Sequence, residues 1–180
     1  MQREIEVKVL NIDVVQMEEK LLSLGAEKIN HEMQENYTFT PKNGEFSNGY
    51  LRIRETKPVD GEKTIELTFK EIETNDEVRV NKEYSVNIDS VAMMKKILEH
   101  SGIILEYHGT KERKSFKYKN QRFDIDIWDE KTYPDPYMEI EFTNQSKMDE
   151  ILEDLCIDKA NVTSESITEL REKINKHKNN

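Results

Sequence analysis

Along EIEVKVL, residues 4–10, apolar Ile5, Val7 and Val9 alternate with Glu4, Glu6 and Lys8. This is the period-two pattern of a strand with one apolar face. The alternation returns where Leu51 and Ile53 flank Arg52, and where Ile65, Leu67 and Phe69 interleave with Glu66, Thr68 and Lys70. It returns again in Tyr84, Val86 and Ile88 against Glu83, Ser85 and Asn87, and in Phe123, Ile125 and Ile127 against Arg122, Asp124 and Asp126. Met138, Ile140 and Phe142 then alternate with Glu139 and Glu141. Turn-forming residues separate the runs at Pro41 to Gly44, Ser47 to Gly49, Pro58 to Gly61, Thr74 to Glu77 and Pro134 to Pro136. Each strand therefore carries one apolar face and one ionic face.

Helical spacing interrupts the strands. Val14, Met17, Leu21 and Leu24 form a stripe after Asp13, with Gln16 placed for a capping box and Gly25 for a C′ glycine. A second helix starts near Asp89 or Ser90, carries Val91, Met94 and Leu98, and stops before Gly102. Two short helices are expected at the end, one from Ser146 as N-cap to about Cys156, the other from about Ser164 with Ile167, Leu170 and Ile174 inward. Residues 176–180 read as a frayed tail. The expected fold class is α+β, a mainly antiparallel sheet of about eight strands with helices on its apolar side. Glu4-x-Glu6 and Glu139-x-Glu141 each precede a helix, a faint echo too weak to define a repeat.

Composition narrows the classes. At 180 residues the chain is read as a single domain, 1–180, able to bury a sizeable core. The 27 basic and 37 acidic residues leave a net charge of −10, which argues against coating nucleic acid. One cysteine, Cys156, cannot form an internal disulfide, and no apolar run approaches membrane length. The expectation is a cytoplasmic protein with no membrane or nucleic-acid partner. His31, His100, His108 and His177 show no ligand spacing, and Tyr37 and Trp128 read first as packing residues. Alternation splits the basic run Lys111 to Lys119 between two faces, and no G-x-x-x-x-G-K-[ST] loop is present.

A solvated sheet surface does not need paired motifs. Glu4, Glu6, Glu83, Asp126, Glu139 and Glu141 are acids, and Lys8, Arg52, Arg54, Lys70, Lys111 and Arg113 are bases, nearly all spaced by two. If the sheet closes, these faces converge on an ionic interior. Carboxylate oxygens suit Mg²⁺ or Mn²⁺, and guanidinium and ammonium groups suit phosphate. Near-neutrality then selects a metal-bound polyphosphate.

In order, E-I-E-V-K at 4–8, L-R-I-R at 51–54, L-T-F-K at 67–70, K-E-Y at 82–84, K-E-R at 111–113, F-D-I-D-I-W at 123–128 and Y-M-E-I-E at 137–141 resemble the CYTH superfamily. These are the triphosphate tunnel metalloenzymes, which include class IV adenylate cyclases and thiamine triphosphatases. The motifs lie within residues 1–142, with the helices at 143–175 covered more loosely. The resemblance implies a closed or nearly closed antiparallel barrel with helices outside. It implies metal ligation by Glu4, Glu6, Asp126, Glu139 and Glu141, with Asp124 as the alternative to Asp126. It implies triphosphate binding by Lys8, Arg52, Arg54, Lys70, Lys111 and Arg113. Lys8 is either a general base or a phosphate ligand, and Glu83 either orients a basic neighbour or helps at the metal. Pro134-Asp135-Pro136 stands where the family often has a glycine-containing turn, which changes one tunnel rim.

The implied activity is metal-dependent and most like a class IV cyclase, ATP to cyclic AMP and pyrophosphate. The alternatives are hydrolysis of thiamine triphosphate, a nucleoside triphosphate or tripolyphosphate, or a non-catalytic polyphosphate-binding or nucleotide-binding module. Homodimerisation through an outer helix or a sheet edge is compatible with this layout.

Overall fold

Alternation with ionic residues on one side makes strands that prefer to bury two different faces, and closure satisfies both. The computed structural model describes residues 2–75 and 77–178. Its strands are β1 (Gln2–Val9), β2 (Glu27–Pro41), β3 (Gly49–Pro58), β4 (Thr64–Asn75), β5 (Arg79–Asn87), β6 (Ile103–Tyr118), β7 (Gln121–Trp128), β8 (Tyr137–Glu141) and a short β9 (Val162–Thr163). The sheet runs β5-β4-β3-β2-β6-β7-β8-β1, and β1 pairs back onto β5. Eight antiparallel strands thus close a barrel, and β9 adds a short pairing to β1 outside the ring. The closing register sets Glu4 opposite Asn81 and Glu6 opposite Arg79.

The apolar faces point outward and are covered by helices. α1 (Val14–Ser23) and α3 (Met148–Asp154) bury Leu21, Ile151 and Leu152 against Val7, Val9, Phe116, Phe123, Ile125, Met138 and Ile140. α2 (Val91–His100) sets Leu98, Val91 and Met94 against Phe39, Leu51 and Ile53. α4 (Ile167–Lys178) packs Leu170, Ile167 and Ile174 on Tyr133, Tyr137, Leu10 and Trp128, at the end of the barrel where β1 and β7 finish. No helix among the described residues is long and apolar enough to cross a membrane.

Caps follow local chemistry. Asp13 Oδ1 accepts from the Gln16 amide, and α1 ends where Ala26 N donates to Leu21 O and Gly25 N to Leu22 O, with Gly25 at φ +84°. That paired bonding is a Schellman ending. Ser90 caps α2 by accepting from the Met93 amide. Ser146 is not the cap expected of it: Asn144 accepts from the Ser146 amide at a 3₁₀ turn, Gln145–Lys147, and α3 begins only at Met148. α4 starts three residues later than expected, because Ser166 and Glu169 form the capping box there: the Ser166 amide donates to Glu169 Oε2 and the Glu169 amide to Ser166 Oγ. The helix then runs to Lys178, through the start of the expected tail, whereas residues 179–180 lie outside the described residues.

Candidate active site

The ionic faces of the strands line the inside of the barrel. Odd-numbered apolar residues such as Ile53 and Ile125 face the helices, so Arg52, Arg54, Asp124 and Asp126 necessarily face inward. They enclose a cavity of about 440 Å³ lined by every expected site residue except Asp126. Register pairs them: Lys8 lies opposite Glu139 and Glu6 opposite Glu141, Lys70 lies opposite Glu83, and Arg113 lies opposite Asp126.

One wall is acidic. Lys70 Nζ lies 2.8 Å from Glu4, 3.1 Å from Glu83 and 3.6 Å from Glu6, while Asn81 donates to Glu6 at 3.1 Å. Burial raises Glu4 to about 7 against the pull of Lys70, helped by the charges of Glu83 and Glu6. Burial also raises Glu141, against Arg122 and with the added repulsion of Asp124. Burial opposes the Lys70 ammonium too, but Glu6, Tyr50, Glu4 and Glu83 carry its pKa above the ordinary lysine value.

Asp124, Asp126 and Glu139 share the bases of β6 and β1. Asp126 is fully buried and bonds Lys111 Nζ at 2.6 Å, Arg113 through both oxygens at 2.6 Å, and the Tyr137 hydroxyl at 3.1 Å. Glu139 meets Arg113 at 2.7 Å and Lys8 at 3.2 Å, and Asp124 meets Arg113 at 2.8 Å and Arg122 at 2.9 Å. Burial works against the Glu139 charge, yet Lys8, Arg113 and Lys111 hold its carboxyl well below the usual range. Asp124 is lowered for the same reason, burial being outweighed by Arg113 and Arg122. Lys111 moves the other way: burial and Arg113 bring it down to about 8 despite Asp126 and Glu139.

The opposite wall, β3, is basic and sparsely compensated. Arg52 reaches Glu83 only at 3.9 Å, and its Nε and Nη2 are buried with no hydrogen-bond partner among the described residues. Burial and the cations Arg52 and Arg113 lower Arg54 to about 10. Buried donors of this kind are costly unless an acceptor meets them. The cavity therefore sets donors without acceptors across from carboxylates without full compensation.

The carboxylates fit a hard divalent ion in donor chemistry, since Glu4, Glu6 and Glu141 are oxygen donors whose charge Lys70 only partly offsets. No group of three or more His, Cys, Asp or Glu side chains is already gathered as a metal cage among the described residues. Asp126 in particular has its oxygens committed to Lys111, Arg113 and Tyr137.

The profile of the CYTH domain matches residues 2–171. The chain belongs to the CYTH family. Members of this family bind triphosphate substrates and are generally metal-dependent. No curated protein matches the chain. Among solved structures, the PH1819 protein of Pyrococcus horikoshii OT3 is 20% identical, with a TM-score of 0.78 over 94% of this CYTH chain and 98% of that one. The PH1012 protein of the same organism is 22% identical, with a TM-score of 0.77 over 93% and 98%. HpAC1 from Hippeastrum, described as having a dominant triphosphatase activity, is 16% identical, with a TM-score of 0.68 over 91% of each chain. At these identities the structures speak for the fold.

The remaining sequence candidates divide: some sit elsewhere in the CYTH barrel, whereas Trp128 lines the cavity. His31 pairs with Glu112 at 2.7 Å, and His108 stacks on Tyr37 at 4.4 Å; neither lines the cavity, and the His177 side chain lies outside the described residues. The basic run divides as its alternation predicts: Lys111 and Arg113 face inward, while Lys114 pairs with Glu18 and Lys119 with Glu150 and Asp154. Trp128 is half-buried, donates to the Tyr137 hydroxyl at 2.8 Å and lies under Lys111 Nζ. Sequence reasoning missed Arg79 and Asn36, both buried on the cavity wall. Arg79 was findable, because Arg79, Asn81 and Glu83 alternate with Val78, Val80 and Lys82. Asn36 lies in a strand whose two faces are both largely polar, so period alone does not mark its side.

Proposed function

We propose that this CYTH protein is a divalent-metal-dependent enzyme acting on a triphosphate. The observation that carries the reading is Arg52, a buried guanidinium with unpartnered donors on a cavity whose other wall is made of glutamates. Phosphoryl oxygens are acceptors only, and arginine's fork suits them. Arg52, Arg54, Lys70, Lys111, Arg113 and Lys8 would bind the triphosphate, and Glu4, Glu6, Glu139 and Glu141 would hold Mg²⁺ or Mn²⁺. When bound, that ion supplies Lewis-acid neutralisation of phosphate charge. Asp126 would join it only by releasing bonds to Lys111 and Arg113, so in the present arrangement it anchors those two bases. Glu83 orients Lys70 and Arg52. A single exposed thiol, Cys156, agrees with a reducing, cytoplasmic setting.

The bases stabilise negative charge that builds on the departing phosphate or pyrophosphate. Lys111, held by Asp126 at 2.6 Å and brought down to about 8 by burial and Arg113, would bind phosphate from β6. Lys8, fixed by Glu139 at 3.2 Å, would serve as a phosphate ligand or as the general base. A ribose 3′-hydroxyl in line with the α-phosphorus gives cyclic AMP and pyrophosphate, the reaction that the motif layout favours. Water in line with the γ-phosphorus gives a diphosphate and phosphate. The charged lining matches the triphosphate common to both reactions, and Phe46, Tyr50, Tyr107 and Trp128 add ring side chains to the wall.

The test is incubation of the purified protein with Mg²⁺ or Mn²⁺ and, separately, ATP, thiamine triphosphate and tripolyphosphate. Cyclic AMP from ATP supports the cyclase, and phosphate from any of the three supports the hydrolase. Tight metal-dependent binding with no turnover overturns the enzyme in favour of a binding module.

A further inference from the structure

Asn36 lies on β2 with only 4% of its surface exposed, and it lines the cavity. Strand register sets it opposite Arg54 on one side and Gly109 on the other. Its Oδ1 accepts from Arg54 Nε at 3.4 Å. A guanidinium has no acceptor, so that bond fixes which way round the amide sits. The Nδ2 group must then face away from Arg54, and it has no hydrogen-bond partner among the described residues.

Among the described residues, the other unpartnered buried donors of the interior are Nε and Nη2 of Arg52, two residue pairs along the same β2–β3 ladder, where Arg52 lies opposite Thr38. Gln34, the next inward residue of β2, differs in kind: its unpartnered atom is the acceptor Oε1, its amide donates to Glu32, and it is not part of the cavity wall. The unmatched donors thus gather at one place, where β2 meets β3. A ligand group that meets them must be an acceptor and nothing else. A hydroxyl or a ring amine would bring a donor of its own.

We infer that Asn36 is a substrate-binding residue, its Nδ2 donating to the same phosphoryl group that Arg52 and Arg54 hold where β2 meets β3. The inference rests on the triphosphate reading above and adds to it a residue and an orientation. A neutral amide suits this position because Arg54, lowered to about 10 by burial first and then by the charges of Arg52 and Arg113, already has two cations acting on it. It adds a donor without adding a fourth cation. It also accepts from Arg54 and so aims that guanidinium, which a lysine could not do.

The experiment is titration calorimetry of the full chain with sodium tripolyphosphate and MgCl₂, together with thermal melts of the ligand-free protein, for wild type, Asn36→Asp and Asn36→Ala. Asn36→Asp keeps the acceptor for Arg54, loses the buried unpartnered donor and adds a carboxylate beside two arginines. It should melt at or above the wild-type temperature without ligand while its tripolyphosphate Kd rises at least tenfold. Asn36→Ala, which loses both atoms but brings no repelling charge, should raise Kd by a smaller factor of about three to ten. Wild-type affinity in both folded variants would overturn the role of Asn36 and leave the triphosphate reading standing. Absence of tripolyphosphate binding by the wild type would overturn both.

Discussion

At the scale of single residues, the interior sets ionisable groups against each other in ways that pH can read. Glu4 is raised to about 7, chiefly by burial, so its folded pKa exceeds its unfolded one. The stability it contributes is complete below about pH 4.3 and is lost as pH rises through about 7. Glu4→Gln keeps an acceptor for Lys70 without the buried charge. In metal-free buffer the variant is expected to be more stable than wild type at pH 8.5 by on the order of 1–3 kcal/mol, and indistinguishable at pH 4.5. Urea denaturation at the two pH values measures this, and a variant less stable than wild type at pH 8.5 would show that the Lys70 pairing outweighs burial. Asp126 is the contrasting case. Asp126→Asn strands Lys111 and Arg113 without their main counter-charge, and its expected cost is about 3–5 kcal/mol at neutral pH. A loss below about 1 kcal/mol would mean that Glu139 and Asp124 suffice to hold both bases.

At the scale of elements, the ends of α1 carry a small test of local chemistry. Gly25 stands at φ +84° with open space where a Cβ would go, so only backbone strain opposes a side chain there. Gly25→Ala is expected to cost about 1 kcal/mol in chemical denaturation, and a neutral result would mean that the helix end relaxes to another ending. That glycine was legible in the sequence, as were α2 and the strands in which aliphatic residues alternate with charges. β2 was not, for a physical reason. Over residues 31–36 its outward side chains are His31, half-exposed Met33 and Glu35 and its inward ones Glu32, Gln34 and Asn36, so neither face of that stretch looks like a core. Hydrophobic periodicity locates a strand by its apolar side, and this one is apolar only near its end, at Tyr37 and Phe39. The cap of α3 was misread for a related reason: Asn144 and Ser146 are both good caps, and the 3₁₀ turn Gln145–Lys147, which Asn144 caps and which contains Ser146, decides. The paired E-x-E and R-x-R motifs were legible because closure brings like faces together. What sequence could not supply is which acid meets which base, since Asp126 and Glu139 lie on neighbouring strands and compete for Arg113.

At the scale of the whole molecule, the barrel is held closed around charges that it only partly neutralises, and a ligand that completes the balance should stabilise all of it. A ligand that binds only the folded state at a concentration one hundred times its Kd adds about 2.7 kcal/mol, which for a chain of this size raises Tm by roughly 5–10 °C. Tripolyphosphate with Mg²⁺ is expected to give a shift of that order in a thermal melt. Arg52 decides whether the shift comes from the interior. Arg52→Gln removes a buried cation with two unpartnered donor nitrogens, so the ligand-free variant should melt at least as high as wild type, whereas the ligand-induced shift should fall to less than half. The separation matters because a surface lysine that binds polyphosphate loosely would give a shift indifferent to Arg52. A variant that keeps the full wild-type shift would place the phosphates outside the barrel. A variant that has lost ligand-free stability would show that the 3.9 Å contact with Glu83 does more to hold β3 against β5 than its length suggests.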